Sequence, residues 1–255
     1  MYDMPEEIQV EADGPLRIIT LNRPEELNAV NDDLHVGLAR LWSRLSQDRT
    51  ARAAVITGAG KAFSAGGDFN YIQQISQDAD LRAKTIADGR EIVIGMARCR
   101  IPVIAAVNGP AVGLGCSVVA LSDIVYMAEK AFLSDPHVQV GLVAADGGPL
   151  VWPMQMSILQ AKEYALTGAR IPAAKAVELG LANHVVADPL AEAITAAKKI
   201  LELPQKAVEA TKRILNIQLE QQVMMTLDYA TTAEELTFGT DDLKNNVAKL
   251  LQGNK

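Results

Sequence analysis

Short apolar runs alternate with longer amphipathic stretches along the first part of the chain. The segment Ile8–Asn22 predicts two strands around a turn at Ala12–Pro15. The segment Asn31–Asp48 predicts a helix, with Asn31 as its N-cap. Its leucines recur at helical spacing at Leu34, Leu38, Leu41 and Leu45.

Two fully apolar runs, Arg52–Gly58 and Pro102–Gly109, predict buried strands, and Asp80–Cys99 between them predicts a helix. Buried strands that alternate with helices indicate an α/β fold with a parallel sheet. From Gln160 onward the pattern is almost entirely helical. We therefore expect a core over residues 1–195 and a helical part over residues 196–255. The apolar stripes of that part favour an oligomer, and they contain Ile200, Ile214, Leu215, Ile217, Leu236 and Phe238.

The composition is that of a globular enzyme, with 49% hydrophobic and 22% charged positions among 255 residues. The net charge is −7, and the scattered Lys and Arg side chains speak against nucleic-acid binding. The first ten residues are acidic, unlike a signal peptide, and no run reaches the roughly 18 apolar residues of a membrane helix. We expect a cytoplasmic protein without a metal site, in which Cys99 and Cys116 are buried thiols.

Glycine-rich turns follow two of the predicted strands, at Ile56–Phe69 and Ala106–Ser117. Glycine allows a ligand to approach peptide N–H groups closely, and the second turn leads directly into an apolar helix. Two such turns could point two N–H groups at one oxygen and form an oxyanion hole. The two turns could equally be tight strand-to-helix connections that bind nothing. A nucleotide-binding loop fits less well, because neither turn has the G-x-G-x-x-G or P-loop spacing.

Five blocks of sequence resemble the crotonase superfamily, the enoyl-CoA hydratase/isomerase family. They are NRPEELNAVN, ITGAGKAFSAGGDF, PVIAAVNGPAVGLGCSVVALSDI, ALTGARIPAAKAVELGLANHVV and EELTFGTDDLKNNV. The resemblance implies an α/β spiral of ββα units with a C-terminal helical trimerisation region. It also implies an acyl-CoA thioester substrate, with coenzyme A bound as part of the substrate rather than as a resident cofactor, and an enolate held by the N–H groups of Gly67 and Leu114. By the same resemblance, Leu27, Ala29, Lys61, Ala65, Asp68 and Phe69 line the coenzyme A passage.

The two glutamates of the family's hydratases are absent, because their positions hold Ser117 and His137. A carboxylate, Asp146, stands nine residues after His137, as in the 6-oxocamphor hydrolase branch of the superfamily. The resemblance to that branch adds His35 on the first helix and Glu234 near the C-terminus as further candidates.

The His137–Asp146 pair suggests acid–base chemistry in which the aspartate bonds one ring nitrogen and the other nitrogen accepts a proton. Two reactions fit the pair: proton transfer on an acyl-CoA, or retro-Claisen cleavage of a β-diketone. A non-catalytic coenzyme A-binding or assembly subunit is the third hypothesis. Structural roles also remain open, since Asp146 could cap the next helix, His35 could face solvent, and Glu234 could belong to a charged helix face. The resemblance implies a homotrimer or a dimer of trimers.

Overall fold

Six strands form the main sheet of the computed structural model, which describes residues 2–253. Within that range the strands are β1 Ile8–Asp13, β2 Leu16–Leu21, β3 Ala53–Gly58, β4 Val103–Val107, β5 Ala111–Val112, β6 Ile124–Ala128, β7 Phe132–Ser134, β8 Ile171–Pro172 and β9 His184–Val186. The main sheet has the order β1-β2-β3-β4-β6-β9, and a small sheet has the order β5-β7-β8. The β1–β2 pair is antiparallel, whereas the other neighbours in the main sheet are parallel.

Helices follow most of the parallel strands and make up nearly all of the C-terminal third. They are α1 Asp32–Gln47, α2 Phe69–Gln77, α3 Ala79–Arg98, α4 Leu114–Ala120, α5 His137–Val140, α6 Gly148–Gln155, α7 Ile158–Thr167, α8 Ala173–Leu179, α9 Pro189–Leu201, α10 Gln205–Phe238 and α11 Asp241–Gly253. None of the helices within residues 2–253 combines the length and the apolarity that a membrane crossing needs. The α/β class with a helical C-terminal region is confirmed.

The hairpin and the first helix form as their sequences predict. The β1–β2 register pairs Ile8 with Leu21 around the expected turn. The Asn31 side chain accepts a hydrogen bond from the backbone N–H of Leu34, so it caps α1. The four leucines of the helical pattern are all buried, because α1 lays that face on α3 and the sheet.

Every residue of β3 and β4 is buried, which explains their uninterrupted apolar sequence. One face of the sheet packs on α1, α3 and α10, and the other packs on α9 through Ala193 and Ala197. The expected boundary at residue 195 lies inside α9. A division of the chain into a core and an oligomerisation region therefore stays a prediction.

The C-terminal arm is dominated by α10, a single helix of 34 residues. Three members of the predicted apolar stripe are largely exposed: Ile214 at 67%, Leu215 at 68% and Leu236 at 72%. Phe238 is instead buried against α2 and α11, and Ile200 packs beside α9's own alanines. Some residues of the predicted stripe are thus packed inside the protein, whereas others form an exposed apolar face on α10.

A buried ion pair fastens α10 to the sheet. The Lys212 ammonium donates to Asp123 Oδ2 at 2.6 Å and to the Ile101 carbonyl at 2.7 Å. The same Asp123 oxygen accepts the Val103 N–H at 2.7 Å, and the Lys212 side chain is 7% exposed. The pair therefore holds the ends of β4 and β6 against the arm.

Lys212→Met is expected to lower the free energy of unfolding by about 3 kcal/mol, because it leaves the Asp123 carboxylate without its counter-charge. Lys198→Met is the matched control, since the Lys198–Asp13 pair at 3.5 Å is more than half exposed on both sides and should contribute less than about 1 kcal/mol. Urea unfolding at equal protein concentration measures both. Equal losses in the two variants would contradict the structural role of Lys212.

Candidate active site

An internal cavity of about 190 Å³ lies where the two glycine-rich turns meet α1, α2, α3, α5 and α10. Its wall is mostly apolar, with side chains such as Ile72, Ile75, Ile86, Leu142 and Phe238. All six predicted catalytic residues line this one cavity: His35, Gly67, Leu114, His137, Asp146 and Glu234.

The two turns approach each other at backbone contact distance. Gly66 and Gly113 both have positive φ angles, +89° and +52°. A Cβ on Gly66 would lie 3.2 Å from the Val112 carbonyl oxygen, and one on Gly113 would lie 3.6 Å from Cε1 of His137. The positive φ angles favour glycine at both positions, and at Gly66 the close carbonyl leaves little space for a side chain as well.

Gly67 and Leu114 both line the cavity, and their backbone N–H groups donate to no other group within residues 2–253. Leu114 is the first residue of α4, where a helical N–H has no intrahelical acceptor. Two free donors at the junction of the turns favour an oxyanion hole over a merely tight connection.

The His137 ring is hydrogen-bonded to Asp135 and not to Asp146. Its Nδ1 lies 2.5 Å from Oδ1 of Asp135, a carboxylate that is 1% exposed. Its Nε2 faces Oδ2 of Asp146 at 3.8 Å, which is beyond hydrogen-bond distance. The sequence predicted that Asp146 hydrogen-bonds the His137 ring. That prediction is wrong, because the partner is Asp135. Asp135 fixes the ring orientation and leaves Nε2 to the cavity.

Asp146 is anchored by Ser117 and does not cap the following helix. The Ser117 hydroxyl donates to Asp146 Oδ1 at 2.8 Å. Helix α6 begins after Gly147, without any side-chain cap, so the capping alternative is wrong. Ser117 is fully buried, and a Cβ on Gly147 would lie only 2.4 Å from its Cβ. The Ser117 hydroxyl therefore positions the Asp146 carboxylate.

The charged groups in the cavity shift one another's pKa values. Burial alone would lower the pKa of His137, but the negative charges of Asp135 and Asp146 outweigh it and raise this pKa to about 10. Burial raises the pKa of Asp146, against the opposing effect of the His137 charge. Burial and the Asp146 charge raise the pKa of Glu234 to about 8. At neutral pH the imidazole is charged and Glu234 is mostly protonated.

Asp135 is the functional residue that sequence reasoning missed. It precedes His137 by two positions, and the intervening Pro136 turns the chain so that the carboxylate reaches back to Nδ1. The available signal was the Asp-Pro-His tripeptide itself, since a histidine ligand or base commonly has a carboxylate on its second nitrogen.

His35 lies on the core side of α1 and is 8% exposed, so the solvent-facing alternative is wrong. Burial, which outweighs the nearby Asp88 charge, lowers the pKa of His35 to about 4. Its ring is therefore neutral at physiological pH.

A second, more open cavity adjoins the first and shares Ala65, Gly67 and Phe69 with it. It contains five of the six residues that the resemblance assigns to coenzyme A: Leu27, Ala29, Ala65, Asp68 and Phe69. The sixth, Lys61, is exposed and lies outside its lining. Asp68 also caps α2 and pairs with Arg23 at 3.3 Å. The shared residues show that the two cavities lie side by side.

Asp135, His137 and Asp146 are the group within residues 2–253 whose side-chain atoms, all within 4.8 Å of one another, could hold a metal ion. Because Asp135 already occupies Nδ1, only Nε2 and Asp146 would face an ion from the cavity. A catalytic zinc site normally has three protein ligands, so the arrangement fits proton transfer better.

Asp135→Asn is expected to bring the pKa of His137 down from about 10 toward the ordinary 6.5, because it removes the nearest negative charge. The chain has three histidines, so ¹⁵N NMR titration can follow each ring. Asp88→Asn is the control, since Asp88 acts on His35 and should leave His137 unchanged. An unaltered His137 titration in Asp135→Asn would contradict the assigned ion pair.

Comparison with known proteins places this geometry in a family. A family model described as Enoyl-CoA hydratase/isomerase matches residues 11–252. A probable enoyl-CoA hydratase of Rhizobium meliloti is 31% identical over 98% of this chain and 96% of its own. A peroxisomal Delta(3,5)-Delta(2,4)-dienoyl-CoA isomerase of Arabidopsis thaliana is 30% identical over 100% of this chain and 96% of its own.

Solved structures agree with the sequence relatives. The crystal structure of an enoyl-CoA hydratase/isomerase from Mycobacterium paratuberculosis is 75% identical and superposes with a TM-score of 0.97, covering 97% of this chain and 100% of that chain. A family match over nearly the whole sequence, together with two free N–H groups at the meeting point of the glycine turns, leads to one assignment. The chain belongs to the enoyl-CoA hydratase/isomerase family.

Proposed function

We propose that this protein moves a proton on an acyl-CoA thioester through an enolate, and so shifts a carbon–carbon double bond. One observation carries the proposal: the Asp146 carboxylate and the charged His137 face each other at 3.8 Å, in the cavity that also holds the free N–H groups of Gly67 and Leu114. A base, a charged hydrogen-bond donor and an oxyanion site thus share one cavity.

Asp146 is the proton acceptor in this proposal. Its raised pKa makes it a stronger base than an ordinary carboxylate, and Ser117 holds only one of its two oxygens. The carbon–hydrogen electron pair enters the enolate, whose oxygen accepts hydrogen bonds from Gly67 and Leu114. The proton, which can exchange with solvent while Asp146 holds it, is then delivered to another carbon of the same acyl group, which completes the isomerisation.

His137 acts as a charged hydrogen-bond donor in this scheme and not as the base expected from the sequence. Its pKa of about 10 keeps Nε2 protonated at neutral pH, so it stabilises negative charge beside Asp146. Glu234, with a pKa of about 8, is mostly protonated at neutral pH and is a second hydrogen-bond donor at the same cavity. Hydration by the family's usual carboxylate pair is not proposed, because Ser117 and His137 occupy those positions.

Two relatives agree with this chemistry in kind: one is described as a probable enoyl-CoA hydratase and another as a dienoyl-CoA isomerase. Incubation with a panel of enoyl- and dienoyl-CoA esters in D₂O is the direct test. Deuterium incorporation beside the thioester or at the far end of the double-bond system, read by mass spectrometry, is expected. Absence of coenzyme A ester binding by calorimetry would overturn the proposal.

Cleavage of a β-diketone is the second candidate, favoured by one observation: His35 and Glu234 join His137 and Asp146 in a single cavity. In that reaction hydroxide adds to one carbonyl, the carbon–carbon bond breaks, and the enolate formed rests on the same two N–H groups. Ring opening of a cyclic 1,3-diketone without any binding of coenzyme A esters would select this candidate. Absence of turnover on both substrate classes would favour the non-catalytic subunit.

We also propose that the outer face of α10 packs against neighbouring subunits in a homotrimer or a dimer of trimers. The exposed side chains of Ile214, Leu215 and Leu236 support it. Light scattering coupled to gel filtration is expected to give three or six chains per particle.

A further inference from the structure

The cavity has a second polar region besides the one around His137. Three buried polar side chains from three different helices, His35, Tyr71 and Thr85, line it together. The rings of His35 and Tyr71 lie 6.4 Å apart. The charged groups that act on His35 are Asp88, Lys84 and Asp32, whereas those that act on His137 are Asp135, Asp146 and Glu234. Different charged groups therefore act on the two histidines.

Tyr71 and Thr85 already have partners in this region. The Tyr71 hydroxyl donates to Asp32 Oδ1 at 3.0 Å and lies 2.8 Å from the Thr85 hydroxyl. The Thr85 hydroxyl donates to the Leu81 carbonyl at 2.9 Å. Lys84 pairs with both Asp32, at 2.6 Å, and Asp88, at 3.3 Å. Two carboxylates thus share one ammonium, so this region carries one net negative charge.

His35 is the exception. Its side chain makes no hydrogen bond within residues 2–253, and Nδ1 is fully buried. The ring lines the cavity, so Nε2 is the nitrogen that a ligand in the cavity can reach. A buried imidazole without any hydrogen bond is uncommon in folded proteins, and a bond from Nε2 to a ligand would give this ring a partner.

We propose that the acyl group carries a neutral oxygen substituent, a hydroxyl or a ketone, away from its thioester, and that Nε2 of His35 hydrogen-bonds this oxygen. This inference rests on the proposed function, since it assumes an acyl-CoA ligand. A neutral imidazole can present either a donor or an acceptor at Nε2, so both kinds of oxygen fit. A carboxylate fits poorly, because Asp32 and Asp88 lie nearby and Lys84 is already paired with them.

A matched pair of ligands tests the inference: one straight-chain acyl-CoA, and its counterpart with a terminal hydroxyl or oxo group and the same number of heavy atoms. Calorimetry on the Asp146→Asn protein keeps both ligands intact. The oxygenated ligand is expected to bind at least about tenfold more tightly, because the hydrocarbon leaves His35 unpaired. In the double variant with His35→Leu this preference should disappear, and His35→Gln should restore part of it.

A second readout separates recognition from packing. The ¹⁵N signal of Nε2 in His35 should move when the oxygenated ligand binds and should not move with the hydrocarbon. Equal affinities, or a preference that survives His35→Leu, would overturn the inference.

An additional experiment without coenzyme A distinguishes the two proposals. It compares a cyclic ketone with the cycloalkane of the same ring size. If no coenzyme A ester binds but the ketone alone moves the His35 signal, the acyl-CoA function fails and recognition of a neutral oxygen stands. If neither the esters nor the ketone moves that signal, the role of His35 is overturned.

Discussion

Asp146→Asn is expected to lower kcat by about 100- to 10,000-fold, the usual contribution of a positioned general base. Asparagine keeps the size of the side chain and can still accept the Ser117 hydrogen bond through its carbonyl oxygen, but it cannot take up a proton. KM should change little, because the carboxylate is assigned to proton transfer and not to holding the coenzyme A portion. Steady-state kinetics on the best substrate of the acyl-CoA panel measures both parameters.

Ser117→Ala is the matched control for this variant. It removes the hydroxyl that anchors Asp146 but leaves the carboxylate in place, so we expect a loss of about tenfold or less. Both variants should remain folded by circular dichroism, since neither substitution adds volume, while the loss of a buried charge or hydrogen bond lowers the unfolding temperature of each. If Asp146→Asn retained full turnover while Ser117→Ala did not, Asp146 would not be the base.

Leu114→Pro is expected to lower kcat by about 100- to 1,000-fold, the range found when one oxyanion-hole donor is removed. Proline lacks a backbone N–H, and it is tolerated at the first position of a helix, which Leu114 occupies. The preceding Gly113, with φ of 52° and ψ of −124°, is outside the helical region that a following proline disfavours. The substitution therefore removes the donor without breaking α4.

Leu114→Ala separates the donor from the side chain. The Leu114 side chain is 5% exposed, so both variants lose its packing and should be destabilised to a similar extent. Only the proline variant loses the N–H. Comparable kcat values in Leu114→Ala and Leu114→Pro, with both proteins folded by circular dichroism, would remove Leu114 from the oxyanion hole.

The local elements of this fold could be predicted from the sequence because their signals are local. The apolar runs of β3 and β4 and the leucine spacing of α1 each lie within a few consecutive positions. The extent of α10 could not be predicted in the same way. Its exposed stripe and its buried Lys212 depend on what the helix packs against, which the sequence alone does not state.

The candidate site could likewise be predicted only in part from the sequence. Family position identified His137, Asp146 and Glu234, and all three line one cavity with His35. Which carboxylate bonds the imidazole is a matter of side-chain direction over a few ångströms, and there the expectation of Asp146 was wrong and Asp135 is the partner. The coenzyme A positions stay a prediction, since they concern a ligand and not a contact within the chain.

The close approach of Gly147 to Ser117 makes the two positions depend on each other. Ser117 is fully enclosed, with its hydroxyl directed at Asp146 and its Cβ 2.4 Å from where a side chain on Gly147 would begin. Any side chain at position 147 would therefore displace Ser117 and, through its hydrogen bond, the Asp146 carboxylate. The glycine thus takes part in the candidate site without a side chain of its own, by leaving the space in which Ser117 and Asp146 meet.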